Sequence, residues 1–414
     1  MNEEARAHRL GASTAIRALV VWGPGLLVML ADTDAGNVVT AAQAGAQWGY
    51  RLLPLLLLLI PMLYLVQELT VRLGVHTHRG HAELIRERYG AAWAAVAVAG
   101  LAAAAIGSLV TEFTGVAGIG EMFGVSRALT LPLAAAALLA IVGAGAYRSV
   151  ERTALIVGLF ELAFFLVAWK ANPSFSTLAR EAFEWPLGDR QFLYMTAAII
   201  GATFNPWMIF YQQSATVDKR LAPVDLAHAR VDTALGAVLT QCLTGAVLIA
   251  AAAALRKGVP TSLESVGEIS AALTPALGAT AGKIVFGAGV LGASLVAAIV
   301  ASLALAWGVG EMAGYRRTLE RRPFAAGWFY ASYALAVAGS AALVWAVSDL
   351  VWLNVAAQVL NAFIMPLTVG FLIALAATAL PEPHRVSGWR LRIVAGISGL
   401  VSMLGVIGGL RALG

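Results

Sequence analysis

The sequence predicts an all-α polytopic membrane protein: eleven transmembrane helices, two inverted repeats of five with the first and sixth helices broken, and one further helix. Three observations carry this prediction: a composition too apolar for water, a train of apolar runs, and two polar interruptions five runs apart. Of 414 residues, 60% are apolar and 12% charged, about half the charged share of an ordinary soluble domain. The mean hydropathy is +0.80. A soluble enzyme is excluded, because so few charges cannot cover a water-facing surface of this size.

The apolar runs lie at 18–48, 52–73, 91–120, 129–147, 153–170, 191–217, 231–255, 284–312, 324–347, 350–379 and 391–411. Most reach the roughly 20 residues that a helix needs to cross about 30 Å of hydrocarbon. Helices are the default, since lipid offers the backbone no partners and the runs are too evenly apolar for barrel strands. Polar, Gly- and Pro-containing segments separate them: His76 to Gly90, Asn172 to Arg190, Lys257 to Gly282, Arg316 to Pro323 and Pro381 to Arg390. Residues 1–17 are polar, with no signal-peptide pattern, and are expected to be a retained cytoplasmic tail. Residues 18–414 then form one domain: 18–170 as the first repeat, 191–379 as the second, and 391–411 outside both.

With the N-terminus cytoplasmic, the inside segments hold Arg6, Arg9, Arg17, Arg72, Arg79, Arg86, Arg88, Arg148, Arg152, Lys219, Arg220, Arg230, Arg316, Arg317, Arg321, Arg322, Arg385, Arg390 and Arg392. These are 19 of the 28 Lys and Arg. The bias follows the positive-inside rule and places the C-terminus outside, as an odd number of spans requires. The net charge of +5 is therefore a topology signal, and nucleic acid is not an expected partner. The single cysteine, Cys242, permits neither an intrachain disulfide nor a cysteine metal cage.

Run one is interrupted by Ala31-Asp32-Thr33-Asp34-Ala35-Gly36-Asn37 and run six by Gly201-Ala202-Thr203-Phe204-Asn205-Pro206-Trp207. Turn chemistry and an internal proline cannot sit cheaply in a lipid-facing helix. Interrupted spans at matching positions of two inverted halves point to a transport site near mid-membrane. Asp34 is its leading residue, since a carboxylate at the bilayer centre costs about 2.5–3.5 kcal/mol unless it is partnered or functional. Asn37 adds a side-chain carbonyl. Asp32 and Asp34 are also candidate helix caps, and at about 200° apart on a helix only one is expected to face the site.

In run six the candidates are Asn205, as an oxygen ligand, and the Ala202 carbonyl, which Pro206 cannot engage. Asn is also a common helix-break residue with no ligand role. Trp207 either walls or gates a cavity, or simply packs. Gln358 and Asn361 share one face of run ten, with interhelical hydrogen bonding as the plain alternative for Asn361. Glu112, an acid in run three with no neighbouring base, is a cavity or gate candidate. Glu68 reads as an ion pair with Arg72 four residues on. His76, His78 and His81 have metal-like spacing but lie among arginines in a loop, which favours a solvated segment. The set Asp34, Asn37, Asn205, Gln358 and a backbone carbonyl is all oxygen with one formal charge, suited to Mg2+, Ca2+ or Mn2+.

Asp34-Ala35-Gly36-Asn37 followed by Gln43-Ala44-Gly45-Ala46-Gln47-Trp48-Gly49-Tyr50 resembles the first-span motif of the NRAMP divalent-metal transporters. The segment Ile199 to Trp207 resembles their sixth-span motif, and Gln358 lies eight residues before Pro366, as their tenth-span Gln does before its Pro. The resemblance covers about ten of the eleven spans. It implies a LeuT/APC-like fold, alternating access, and metal ligation by Asp34, Asn37, the Ala202 carbonyl, residue 205 and Gln358.

Departures from that pattern set the expected cargo. Asn205 stands where the family has a methionine, Ala35 replaces a proline, and Trp207, Gln212 and Gln213 stand in the region of sixth-span histidines. Leu109 replaces an aspartate, leaving only Glu112 in the third span. The pattern is similar to the NRAMP-related magnesium transporters. The expectation is a cell-membrane secondary transporter, not an enzyme, carrying Mg2+ with Mn2+ tolerated and no proton coupling. The ion is its substrate, and no cofactor is expected. The rivals are a proton-coupled Mn2+ or Fe2+ carrier and an amine or amino-acid symporter of the same fold. An intramembrane protease is disfavoured, because span ten has no acid to face Asp32 or Asp34.

Overall fold

A computed structural model describes residues 24–143, 154–255, 263, 265–273, 278–314, 327–347 and 349–413. The expected tail at 1–17, the start of the first run, and Arg148, Arg152, Lys257, Arg316, Arg317, Arg321 and Arg322 lie outside them. The described residues form helices and no strand: α1 Pro24–Asp32, α2 Ala35–Trp48, α3 Leu53–Thr77, α4 His81–Tyr89, α5 Ala91–Met122 and α6 Arg127–Gly143. The chain continues through α7 Ala154–Lys170, α8 Phe175–Glu181, α9 Arg190–Thr203, α10 Pro206–Asp218, α11 Leu226–Leu255, α12 Val266–Leu273, α13 Ala279–Ala313, α14 Gly327–Ala346, α15 Leu350–Thr378 and α16 Gly388–Leu413.

Each of the eleven apolar runs contains helix. Among the described residues, eight helices are long and apolar enough to cross a membrane, or nine if α7 and α8, bent by 103°, form one span. The helix of the fourth run, α6, has 17 residues, and the first run is divided between α1 and α2. The sequence reading missed three short helices inside connecting segments: α4, α8 and α12. Each is at most nine residues long, too short for apolar periodicity to stand out against a polar loop.

Helix ends follow local chemistry. Pro54 occupies the first turn of α3, where its missing N–H has no intrahelical acceptor to serve. The helix stops at His78, left-handed at φ 53°, whose N–H donates to the Gly74 carbonyl at 3.0 Å. The α4–α5 corner turns on Gly90 at φ 93°, with open space where a Cβ would stand; the backbone angle, not crowding, demands glycine there.

Burial sorts the helices into a centre and a rim. The most apolar window of α9–α10 is 89% buried, against 33% for α14 and for α16. Leu335, Leu343, Leu404 and Leu410 are exposed on those outer helices, as suits a lipid-facing surface. The two broken spans form the middle of the bundle. The helix outside the proposed repeats, α16, packs against α9 and α15, with Gly408 against the Leu193 carbonyl and Gly405 against Ala362.

At one end of the bundle Glu68 pairs with Arg72 at 2.8 Å and with Arg230 of α11 at 2.7 Å. The three histidines diverge. His76 stacks on His384 with ring centroids 3.9 Å apart, whereas His81 Nδ1 bonds Gln213 Oε1 at 3.0 Å and its ring meets Phe210 edge-on. No group of three His, Cys, Asp or Glu poised for a metal occurs among the described residues.

His81, in the connecting helix α4, is fully buried, and burial lowers its imidazole from 6.5 to about 4 against the opposing pull of the Gln213 bond. The folded chain thus holds the neutral ring, whereas the unfolded chain takes up the proton near 6.5. Stability is fully present above that value and is lost as pH falls toward 4, by on the order of 3 kcal/mol. Thermal unfolding in detergent should therefore weaken across that window, and His81→Gln should flatten this part of the profile.

Candidate functional site

The first break spans Thr33 and Asp34. Thr33 N–H still donates to the Leu30 carbonyl at 3.1 Å, after which Asp34 adopts an extended conformation and caps α2. Asp34 Oδ1 accepts the Asn37 N–H at 2.6 Å, one of the donors that every helix start leaves without an intrahelical partner. The capping role thus falls to Asp34 rather than Asp32, and it occupies one carboxylate oxygen. Asn37 reaches back across the gap, its Nδ2 donating to the Asp32 carbonyl at 2.9 Å, so its Oδ1 is left without a donor.

The second break lies at Phe204-Asn205, ahead of Pro206 in the first turn of α10. Asn205 Nδ2 donates to the Ala202 carbonyl at 3.0 Å and to Asp32 Oδ1 at 3.1 Å. Two sequence expectations change here. The Ala202 carbonyl, expected to be free because Pro206 has no N–H, is taken by the Asn205 amide one turn on. Asp32, expected to point away if Asp34 faces inward, also turns to the site, because the break removes the helical geometry that would separate them.

Span ten extends the chain of bonds. Asn361 Nδ2 donates to Asn205 Oδ1 at 2.5 Å and to Gln358 Oε1 at 3.0 Å. A hydrogen-bonded chain Asp32–Asn205–Asn361–Gln358 therefore joins spans one, six and ten. Glycine permits the approach: a Cβ on Gly201 would stand 1.8 Å from the Gln358 carbonyl oxygen, and one on Gly36 2.1 Å from Gln358 Nε2.

From α5, Glu112 Oε2 accepts the Ala35 N–H at 3.1 Å and Oε1 accepts from Thr111 at 3.1 Å, with the Asp34 carboxyl alongside. Trp207 is fully buried, with no acceptor for its Nε1; it fills the core beneath the second break. A narrow cavity of about 10 Å³ lies beside Asn205, lined by Gln67, Phe204, Ile209, Met365 and Thr368 among others. Gln212 and Gln213 form only neutral bonds, Gln212 to Thr233 at 2.9 Å and Gln213 to His81 and the Arg79 carbonyl.

Asp34, Asn37, Asn205, Gln358, Asn361, Asp32 and Glu112 are all at most 1% exposed. Buried acceptors are ordinarily bonded, yet Asp32 Oδ2, Asp34 Oδ2, Asn37 Oδ1 and Asn361 Oδ1 have no donor. Oxygen acceptors without protons to accept, around two adjacent carboxylates, are suited to a hard cation. Sequence reasoning missed Glu161, fully buried in α7 and within electrostatic reach of Asp34 and Asp32. The available signal was an acid inside the run 153–170 with no base one turn away.

A family model described as Natural resistance-associated macrophage protein-like matches residues 25–410. One curated relative, "Divalent metal cation transporter MntH" of Burkholderia ambifaria, is 29% identical over 417 residues, 96% of this chain and 90% of the relative. Among solved structures, a manganese transporter of Eremococcus coleocola aligns with TM-score 0.73 at 18% identity, covering 95% of this chain and 86% of that one. A Na+-coupled sialic acid symporter aligns with TM-score 0.63 at 14% identity, over 94% and 89% of the two chains. At these identities the structural likenesses show the fold.

Proposed function

The chain belongs to the Nramp family of divalent metal cation transporters, and from that premise we propose that its cargo is a hard divalent ion, Mg2+ with Mn2+ accepted, moved without proton coupling. The observation that carries this reading is Asn205. It places an amide, with no sulfur, in the hydrogen-bonded chain joining the two breaks to span ten. Oxygen-only donors favour Mg2+ and Mn2+ over softer ions, and a ligand set in which Asp34 is the one carboxylate suits an ion that keeps part of its water.

The proposed ligands are Asp34, Asn37, Asn205, Gln358 and the Ala202 carbonyl. Releasing that carbonyl takes a half-turn of the Asn205 amide. Asn361 accommodates the turn, since its unbonded Oδ1 can accept the Asn205 Nδ2 once its own amide turns as well. Spans 1–5 and 6–10 act as the inverted halves around this site, with the N-terminus cytoplasmic and the C-terminus external. The absence of titratable groups at Gln212 and Gln213 supports uncoupled transport. The membrane potential suffices to drive it, at about 4.6 kcal/mol for a divalent ion per 100 mV.

Manganese as the principal cargo is the second reading, favoured by the manganese transporter among the structural neighbours. Competition separates the two. In proteoliposomes Mg2+ is expected to suppress tracer Mn2+ uptake at comparable concentrations. Failure of a large Mg2+ excess to compete would rule out the magnesium reading and leave the manganese one.

A further inference from the structure

Glu161 is the acid that the proposed transport site leaves unused. It lies on a 3-10 turn, Leu159–Leu162, within α7. It is fully buried, and its carboxylate is bonded at most by a single neighbouring hydroxyl. Beside it is the Thr33 hydroxyl of the first break, itself 2.8 Å from Thr240 Oγ1 of α11. Packing keeps the group in place: a Cβ on Gly158 would lie 3.2 Å from Leu30 Cδ1 and 3.6 Å from Glu161 Oε1.

Charge balance asks for a further cation. Asp32, Asp34, Glu112 and Glu161 are all buried around the first break, and no Lys or Arg is buried among the described residues. A divalent ion at Asp34 offsets half of that charge. Glu112 has two donors, from Ala35 and Thr111, and Asp32 has Asn205, with the Thr240 hydroxyl also against it. Glu161 has at most the Thr33 hydroxyl of the break. Its surroundings offer one carboxylate and two hydroxyls, too few charged oxygens for a second divalent ion, which takes about six or more oxygens and commonly several carboxylates. The absence of any three-residue acidic or histidine cage among the described residues agrees.

We propose that Glu161, with the Thr33 and Thr240 hydroxyls, forms a second cation site for a monovalent ion of sodium's class, adjoining the divalent site across the first break. Only the charge count rests on the assignment of Asp34; the donors themselves do not. The two sites share Thr33-Asp34, so an ion on one side orders the segment that the other ion uses, and each ion changes the other's affinity by the same factor.

Binding of radioactive Na+ to the full-length protein in detergent, with no divalent metal present, tests the proposal. Saturable binding is expected for the wild type, weakened by about tenfold or more in Glu161→Gln and by a smaller factor in Thr240→Val. No saturable binding by the wild type would overturn the proposal, as it would if Glu161 simply carried a proton. Unchanged affinity in a folded Glu161→Gln would also overturn it. If that variant does not fold, the wild-type and Thr240→Val measurements decide. Divalent binding is read separately by calorimetry: Na+ binding without it would remove the proposed function and leave this inference, and the converse would do the opposite.

Discussion

Asp34→Ala is expected to abolish Mg2+ and Mn2+ uptake in proteoliposomes, a loss of about 100-fold or more, because a carboxylate facing a cation away from water contributes several kcal/mol. Alanine also removes the α2 cap, since Asp34 Oδ1 accepts the Asn37 N–H, which costs about 1 kcal/mol. Asp34→Asn separates the two effects. Asparagine retains a capping oxygen and loses the charge, so it should elute as a folded protein and still fail to transport. Uptake near the wild-type rate by folded Asp34→Asn would remove this carboxylate from the site.

Asn205→Met is expected to convert the selectivity. It removes the donors to Asp32 and Ala202 and the acceptor for Asn361, and it adds a polarizable thioether that soft ions favour. Cd2+ affinity should rise by about tenfold and Mg2+ uptake should fall. The neighbouring Met365 lines the cavity beside Asn205 but stands outside the hydrogen-bonded chain, so it is not expected to supply that preference in the wild type. Calorimetric titration with Cd2+ reads the change; unaltered Cd2+ affinity would show that residue 205 does not contact the ion.

Much of the fold was legible because lipid makes polar residues expensive. The apolar runs mark helix after helix, and the turn chemistry around Asp34 and the Asn205-Pro206 pair mark the two breaks, whereas Pro61, Pro132 and Pro366 lie inside unbroken helices. The Glu68–Arg72 pair was readable from its four-residue spacing, but the part played by Arg230, 162 residues away, was not. Glu161 escaped for the opposite reason to Asp34: it sits in a run with no turn chemistry beside it, so only the three-dimensional approach of α7 to the first break reveals its surroundings. The Asn205 bond to Ala202 depends on a side-chain rotation that spacing does not specify. Asn361, whose bland alternative was interhelical bonding, makes such a bond, to Asn205 of span six. The short helices α4, α8 and α12 were hidden by their length.

As proposed, a hard divalent ion crosses between spans one, six and ten on its own charge. Liposomes containing the purified protein, a Mg2+ indicator and an internal pH dye, with a potassium diffusion potential imposed by valinomycin, test it most directly. Mg2+ entry should grow with an inside-negative potential while internal pH stays constant. Acidification in step with metal entry, or Mn2+ entry with no Mg2+ entry, would contradict it.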